Sequence, residues 1–175
     1  MKSAEVIIVG GGPAGSSCAW SLKRQGVDCL VLDKETFPRT KLCAGWITPE
    51  VVEDLEMDIA SYPHRFLSLK KLHFHFPMIG LSPPTLQHSI RRYEFDAWLL
   101  ERSAAPVDTH KVQTIRQQGE EYIIDERYRC RYLIGAGGTR CPVYRELFRQ
   151  LSPRAGKKQV VALEEEFPYG YRNNQ

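Results

Sequence analysis

Ala4 to Asp33 reads A-E-V-I-I-V-G-G-G-P-A-G-S-S-C-A-W-S-L-K-R-Q-G-V-D-C-L-V-L-D. The apolar run Val6 to Val9 ends in Gly10-Gly11-Gly12-Pro13-Ala14-Gly15, and a helical pattern follows to about Gln25. A second apolar run, Cys29 to Leu32, then ends in Asp33. Strand, glycine turn, helix, strand and terminal acid in this order make a βαβ unit of the dinucleotide-binding type. Gly10 permits the tight turn, Gly12 leaves room for phosphate oxygens, and Gly15 lets the helix lie close to the strand. Pro13 and Ala14 open that helix, whose first amides and positive dipole end suit a diphosphate. Asp33, with Lys34 beside it, stands where a carboxylate accepts hydrogen bonds from ribose hydroxyls. The predicted task of the segment is to hold a dinucleotide; the alternative is a structural glycine turn in some other α/β protein.

The remaining composition narrows the field. The 175 residues suffice for one good-sized domain and are marginal for two. With 42% hydrophobic and 26% charged residues, the chain reads as an ordinary globular protein rather than a disordered or fibrous one. A net charge of +3 with scattered Lys and Arg gives no reason to expect a nucleic-acid partner. Cys18, Cys29, Cys43, Cys130 and Cys141 are odd in number and form no C-x-x-C pair, which points to a reducing, cytoplasmic compartment. The first core strand begins almost at Met1, so no leader peptide is expected, and no apolar run approaches a membrane span. Peripheral membrane contact stays open.

Lys34 to Thr48 follow no period, and loops of this length are either functional or disordered. Phe37, Leu42, Trp46 and Ile47 argue against disorder. Thr48 caps a short predicted helix that Pro49 opens and that runs to about Met57. Phe37 to Thr48, F-P-R-T-K-L-C-A-G-W-I-T, resembles the P-R-x-K-x-C-G-G loop of the geranylgeranyl reductase family. Those are FAD enzymes of the p-hydroxybenzoate hydroxylase fold, to which flavin-dependent halogenases are related. Pro38, Arg39, Lys41, Cys43 and Gly45 match the loop, and Ala44 replaces its first glycine. The resemblance implies that Arg39, Lys41, Cys43, Ala44 and Gly45 run along the FAD toward its isoalloxazine.

Further on, Leu67, Leu69, Leu72, Phe74 and Phe76 alternate as in one or two strands over 66–76, with His73 and His75 on the opposite face. No third ligand lies at a convincing spacing, so the two histidines read as exposed strand residues rather than metal ligands. A strand is predicted over 85–90. Arg91 to Ala105 is a predicted helix, with Phe95, Trp98, Leu99 and Arg102 along one side and Asp96 and Leu100 along another. It resembles the R-x-x-F-D-x-W-L helix of the same family, which implies an FAD contact for Arg92 beside the ribityl-phosphate. Strands are predicted over 111–117, 122–125 and 129–134, the first two joined by a hairpin turn at Gln118 to Glu121. The resemblance implies a backbone contact to adenine near Val112. Tyr132 to Arg145 resembles the G-A-D-G-x-x-S-x-V-R motif of flavin hydroxylases and reductases, through Gly135, Ala136, Gly137 and Gly138. The acid of that motif is Gly137 here and its serine is Cys141. Close backbone approach to the cofactor survives this change, while a carboxylate is lost and direct reduction by nicotinamide is put in doubt. A short helix over 143–151 and a strand over 160–167 complete the reading.

The expected fold class is α/β: a Rossmann-like FAD-binding βαβ domain with part of a second, mixed β-sheet substrate domain. Residues 1–65 and 91–156 fall to the former, 66–90 and 157–175 to the latter. Members of the family are roughly double this length, so the resemblance covers their N-terminal half. It implies an FAD-dependent oxidoreductase that reduces C=C bonds of a hydrophobic, isoprenoid-like substrate. Cys43 is the candidate catalytic residue, as a proton donor or a contact tuning the flavin; a buried loop thiol is its alternative. A flavin monooxygenase or halogenase and a non-catalytic FAD-binding module remain open. NAD is disfavoured, because the loop and the Arg92 helix resemble those of FAD proteins. Apolar faces left uncovered in so short a chain favour self-association.

Overall fold

The computed structural model describes residues 1–153 and 163–165. In chain order they form β1 (Lys2–Val9), α1 (Pro13–Arg24), β2 (Cys29–Asp33), β3 (Trp46–Ile47), α2 (Pro49–Asp54), β4 (Leu67–Lys71), β5 (Phe74–His75), β6 (Gly80–Leu81), β7 (Pro84–Ser89), α3 (Arg92–Arg102), β8 (Val107–Thr109), β9 (Ile115–Gln118), β10 (Glu121–Ile124) and β11 (Tyr128–Gly135). Six strands make the main sheet in the order β8-β2-β1-β11-β10-β9. β1 runs parallel to both β2 and β11, and β8 is parallel to β2. β10 and β9 extend the sheet antiparallel as a meander. A smaller sheet takes the order β3-β7-β4, and β5 pairs with β6 as a separate hairpin.

Alternation along the central strands explains why they are buried on both sides. Ile7, Val9, Leu30 and Leu32 join one cluster with Ile124, Tyr128, Cys130, Cys141 and Val143. Val6, Ile8, Cys29 and Val31 point the other way, toward Ala19 of α1 and Leu100 of α3. Period-two alternation sends successive side chains to opposite faces, so a strand covered on both faces reads as a continuous apolar run. A third cluster, with Ile47, Leu55, Met57, Tyr62, Ile90, Phe95 and Leu99, packs α3 against the smaller sheet and the chain after α2. The α/β architecture expected from the first thirty-three residues is therefore the observed one, with the same strand–helix–strand order.

Several boundaries differ from expectation, each for a local reason. α2 ends at Asp54 rather than near Met57, because Glu56 turns the chain at a φ of +47°. The strand expected over 111–117 begins only at Ile115, and β8, which is not among the predicted strands, forms at 107–109 instead. His110 to Thr114 leave the sheet because Asp125 gathers this segment. Its carboxylate accepts from the Thr114 and Gln113 amides, the Thr114 hydroxyl and the His110 ring, at 2.7–3.2 Å. The helix expected over 143–151 is a short π-helical turn, Tyr144–Phe148. The strand expected over 160–167 lies mostly outside the described residues, and Leu163 to Glu165 are not in a strand. Among the described residues no helix is long and apolar enough to cross a membrane.

Candidate functional site

The glycine turn joins the C-terminal end of β1 to the start of α1, and its geometry follows from the neighbouring strand. Gly10 sits at φ +113°, and a Cβ there would stand 2.5 Å from the Ala136 carbonyl oxygen at the end of β11. A Cβ at Gly15 would overlap the Gly10 carbonyl oxygen, so α1 can cross β1 only with glycine at this point. Ser16, fully buried, donates its hydroxyl to the Gly11 carbonyl at 2.8 Å and fixes the turn from beneath. Pro13 occupies the first turn of α1, no side chain caps the helix, and no acid lies in its first turn. Its leading amides therefore face the cleft without an acidic neighbour in that turn, at the positive end of the helix dipole.

What stands over these amides is a guanidinium. Arg39 places Nη2 3.2 Å from where a Cβ of Gly12 would be, so Gly12 is the gap through which an anion meets cation and helix together. Arg39 is held by Asp96 of α3, at 3.3 Å between Nη2 and Oδ2. Asp96 is fully buried and also receives both Nε and Nη2 of Arg92, at 2.6 and 2.9 Å. That bidentate bond holds the Arg92 guanidinium more firmly protonated than an ordinary arginine. Two arginines thus share one carboxylate, leaving a net positive charge of about one at the helix opening. Tyr62 lies behind α3 with its hydroxyl buried and without a partner among the described residues. Burial first, then the Glu94 and Asp96 charges, push it up to about 12, so the hydroxyl stays protonated at neutral pH.

Asp33 is buried at the end of β2, and both its oxygens are engaged. Oδ2 accepts from the Gly11 amide at 2.6 Å and Oδ1 from the Glu35 amide at 2.9 Å. Each oxygen keeps a second lone pair for a hydroxyl. Lys34 is exposed and pairs with Glu35 at 3.4 Å. Lys41, Cys43 and Ala44 are exposed on the loop, whereas Gly45 is buried at φ +70°, where a Cβ would overlap the Ile90 carbonyl. Cys43 is therefore not the buried loop thiol of the alternative reading. Its amide donates to the Glu164 carboxylate, and its thiol lies within reach of Arg92. Val112 is buried by side chain in the main core, in the segment that Asp125 organises.

Gly135, Ala136 and Gly137 end β11 directly beside the glycine turn: Val9 pairs with Gly135, and the Ala136 amide donates to the Val9 carbonyl at 2.8 Å. Beyond them opens a cleft of about 520 Å³ lined by Ala14, Gly135, Ala136, Gly138, Cys141 and Phe148. A second, shallower cleft of about 330 Å³ lies on the other side, against Phe37, Pro38, Leu100, Ala105 and Val107. Phe37 and Leu100 also approach Gly11. The glycine turn is thus flanked by two clefts, and the larger lies at the carboxyl ends of the parallel strands β1 and β11, the location in which open α/β sheets bind ligands. Gly11, Ser16 and Asp96 belong to this arrangement and are absent from the predicted set. For Asp96 a signal existed, an acid on an otherwise apolar helix face.

Donors and shape together fit a dinucleotide: amides and a guanidinium for a diphosphate, a braced carboxylate for a ribose, and apolar clefts on either side. The comparisons agree. Residues 5–108 match the family described as FAD dependent oxidoreductase. An uncharacterised protein of Methanosarcina barkeri is 37% identical over 152 residues, covering 79% of this chain and 38% of its own length. The menaquinone reductase of Mycobacterium tuberculosis is 31% identical over 168 residues, covering 85% of this chain and 41% of its own. Among solved structures, the halogenase PltM in complex with phloroglucinol and FAD superposes with a TM-score of 0.64 at 19% identity, over 81% of this chain and 36% of its own. The chain spans about two fifths of the length of the curated relatives it matches.

Proposed function

Since this chain belongs to the family of FAD-dependent oxidoreductases, whose cofactor is FAD, we propose that it is the cofactor-holding part of a reductase that saturates C=C bonds of a hydrophobic, isoprenoid-like substrate. The observation that carries the reading is the path of the loop 38–45. It lays Arg39 across the glycine turn and brings Cys43 to Arg92 at the start of α3. A menaquinone reductase among the relatives and the likeness of this loop to that of geranylgeranyl reductases support the substrate class. FAD, when bound, supplies the hydride. The chain's own contribution is placement. The amides of α1 and Arg39 hold the diphosphate, Asp33 the ribose of the adenosine, and the end of β11 the part of the cofactor that extends into the larger cleft. Arg92, fixed by Asp96, stands beside Cys43, whose thiol is the candidate donor of the proton that completes the saturation. Gly137 offers backbone approach without a carboxylate.

The test starts from the purified chain with added FAD, followed by flavin absorbance. Uptake of FAD, then anaerobic reoxidation of the reduced flavin by a polyprenyl substrate and not by an aryl one, is the expected result. Oxygen consumption coupled to substrate hydroxylation or halogenation would overturn it in favour of a monooxygenase or halogenase. A second reading, a binding module without turnover, is favoured by Gly137, which stands where the resembled flavoprotein motif carries an acid. In that case FAD is taken up and no substrate reoxidises it.

A further inference from the structure

Between Ile59 and Tyr93 the chain contains no aspartate or glutamate, although the whole protein has 21. The cations in that stretch are Arg65, Lys70, Lys71, Arg91 and Arg92. Arg91 and Arg92 are engaged by Glu94 and Asp96, while Arg65, Lys70 and Lys71 are exposed. The same stretch carries the β5–β6 hairpin, which forms its own two-stranded sheet. Phe74 pairs with Leu81 across the hairpin, and the amide and carbonyl of Phe76 and Ile79 close its turn. The base is tied by a 2.8 Å bond between the His73 ring and the Ser82 hydroxyl. The turn is apolar and open: Phe76 is 59% exposed, Met78 93% and Ile79 63%, with Leu81 56% exposed on β6 and His75 the polar exception on β5.

We propose that this hairpin is a membrane-docking element. Its tip enters the boundary between headgroups and acyl chains of an anionic bilayer while Arg65, Lys70 and Lys71 meet the headgroups. An apolar projection on an acid-free, basic base is the combination that interfacial binding uses, with buried apolar area and electrostatic attraction adding. A second protein chain suits the feature less well. Pro77 at the turn and Pro83-Pro84 after β6 remove amide donors that strand addition would need. Four apolar side chains also offer far less area than a stable protein interface buries. A lipid surface needs neither strand pairing nor shape complementarity.

Vesicle sedimentation tests this without recourse to FAD or turnover, so its outcome is independent of the redox reading. The full chain is expected to co-sediment with vesicles of phosphatidylcholine and phosphatidylglycerol, to be released by high salt, and to ignore vesicles of phosphatidylcholine alone. Lys70→Gln with Lys71→Gln should weaken partitioning about thirtyfold. Met78→Asp with Ile79→Asp should abolish it, while circular dichroism and FAD uptake stay as in the parent, because the hairpin touches neither core nor cleft. Failure of the parent chain to bind anionic vesicles overturns the proposal, as does unchanged binding by the tip variant. So does a dimer in light scattering that the tip variant dissolves while the parent ignores vesicles, which would make a second copy the occupant.

Discussion

Replacing Asp96 by Asn probes the charge arrangement on which the proposed cofactor placement depends. In the folded chain this carboxylate is fully buried and faces two guanidiniums, whose side chains are only 17% and 18% exposed. Removing one member of a buried ion pair costs on the order of 3–5 kcal/mol, because the charge left behind is neither paired nor hydrated. Both arginines retain some access to water, which places the expected loss near the lower bound, about 3 kcal/mol. For a chain of this size that is a fall in Tm of about 6–12 °C. The sign of the ligand effect is the sharper part. In the parent, Arg39 divides its charge between Asp96 and whatever anion sits at the Gly12 gap. In the variant the diphosphate is the sole counter-charge, so the cofactor-free form loses more than the loaded one. Saturating FAD should then raise the Tm of Asp96→Asn by at least about 3 °C more than it raises that of the parent, by linkage. Thermal unfolding by circular dichroism, with and without FAD, gives all four values. An unchanged Tm would refute the buried-pair argument. Equal FAD-induced shifts in the two proteins would refute the placement of the diphosphate beside Arg39.

Other expectations follow from single contacts. Gly15→Ala should leave the chain unfolded or insoluble, since its methyl has nowhere to go but the Gly10 carbonyl; a native-like circular dichroism spectrum would contradict this. Burial alone would raise the pKa of Asp125, but bonds from Thr114, His110 and Gln113 outweigh it and hold the carboxylate low. A depressed folded value means that stability is present above the unfolded pKa and drains away as pH falls through the folded one, below about pH 4. Asp125→Asn should remove that dependence and cost about 1–3 kcal/mol at neutral pH, measured by urea unfolding across pH. Thiol labelling at pH 8 should modify Cys43 first, because it is exposed, and leave Cys130, which burial pushes up to about 11, untouched until unfolding. Cys43→Ala should retain FAD and lose turnover if the thiol donates the proton; full turnover removes that role.

How far the sequence could be read depended on the range of the interactions involved. β1, α1 and β2 were legible because each obeys a local rule: a continuous apolar run, proline in the first helical turn, glycines in the tight turn between them. The identity of the glycines that could not be replaced was equally local in pattern, though its cause was not. The atoms that forbid a Cβ at Gly10 belong to Ala136, on a strand far along the chain. β8 could not be read, since three residues cannot display a period and its pairing with Val31 to Asp33 supplies the reason it exists. Lys111 to Gln117 looked like one strand because nothing in their own identities announces that Asp125, at φ +48°, collects the first part of the segment by side-chain bonds. Asp96 fell between the two cases. An acid beside Phe95, Leu99 and Leu100 is conspicuous on a helix face, but its partner Arg39 lies in a loop with no period at all.

The pairing of β1 with β11 joins Lys2 to Tyr128 and Val9 to Gly135. During synthesis the first strand must therefore wait while well over a hundred residues leave the ribosome, roughly 6–25 s at ordinary elongation rates. Until then its β11-facing edge is unpaired and the glycine turn lacks the wall that Ala136 provides. A nascent chain halted before the G-A-G-G sequence should thus be an aggregation hazard and a poor ligand for flavin, however intact its fingerprint.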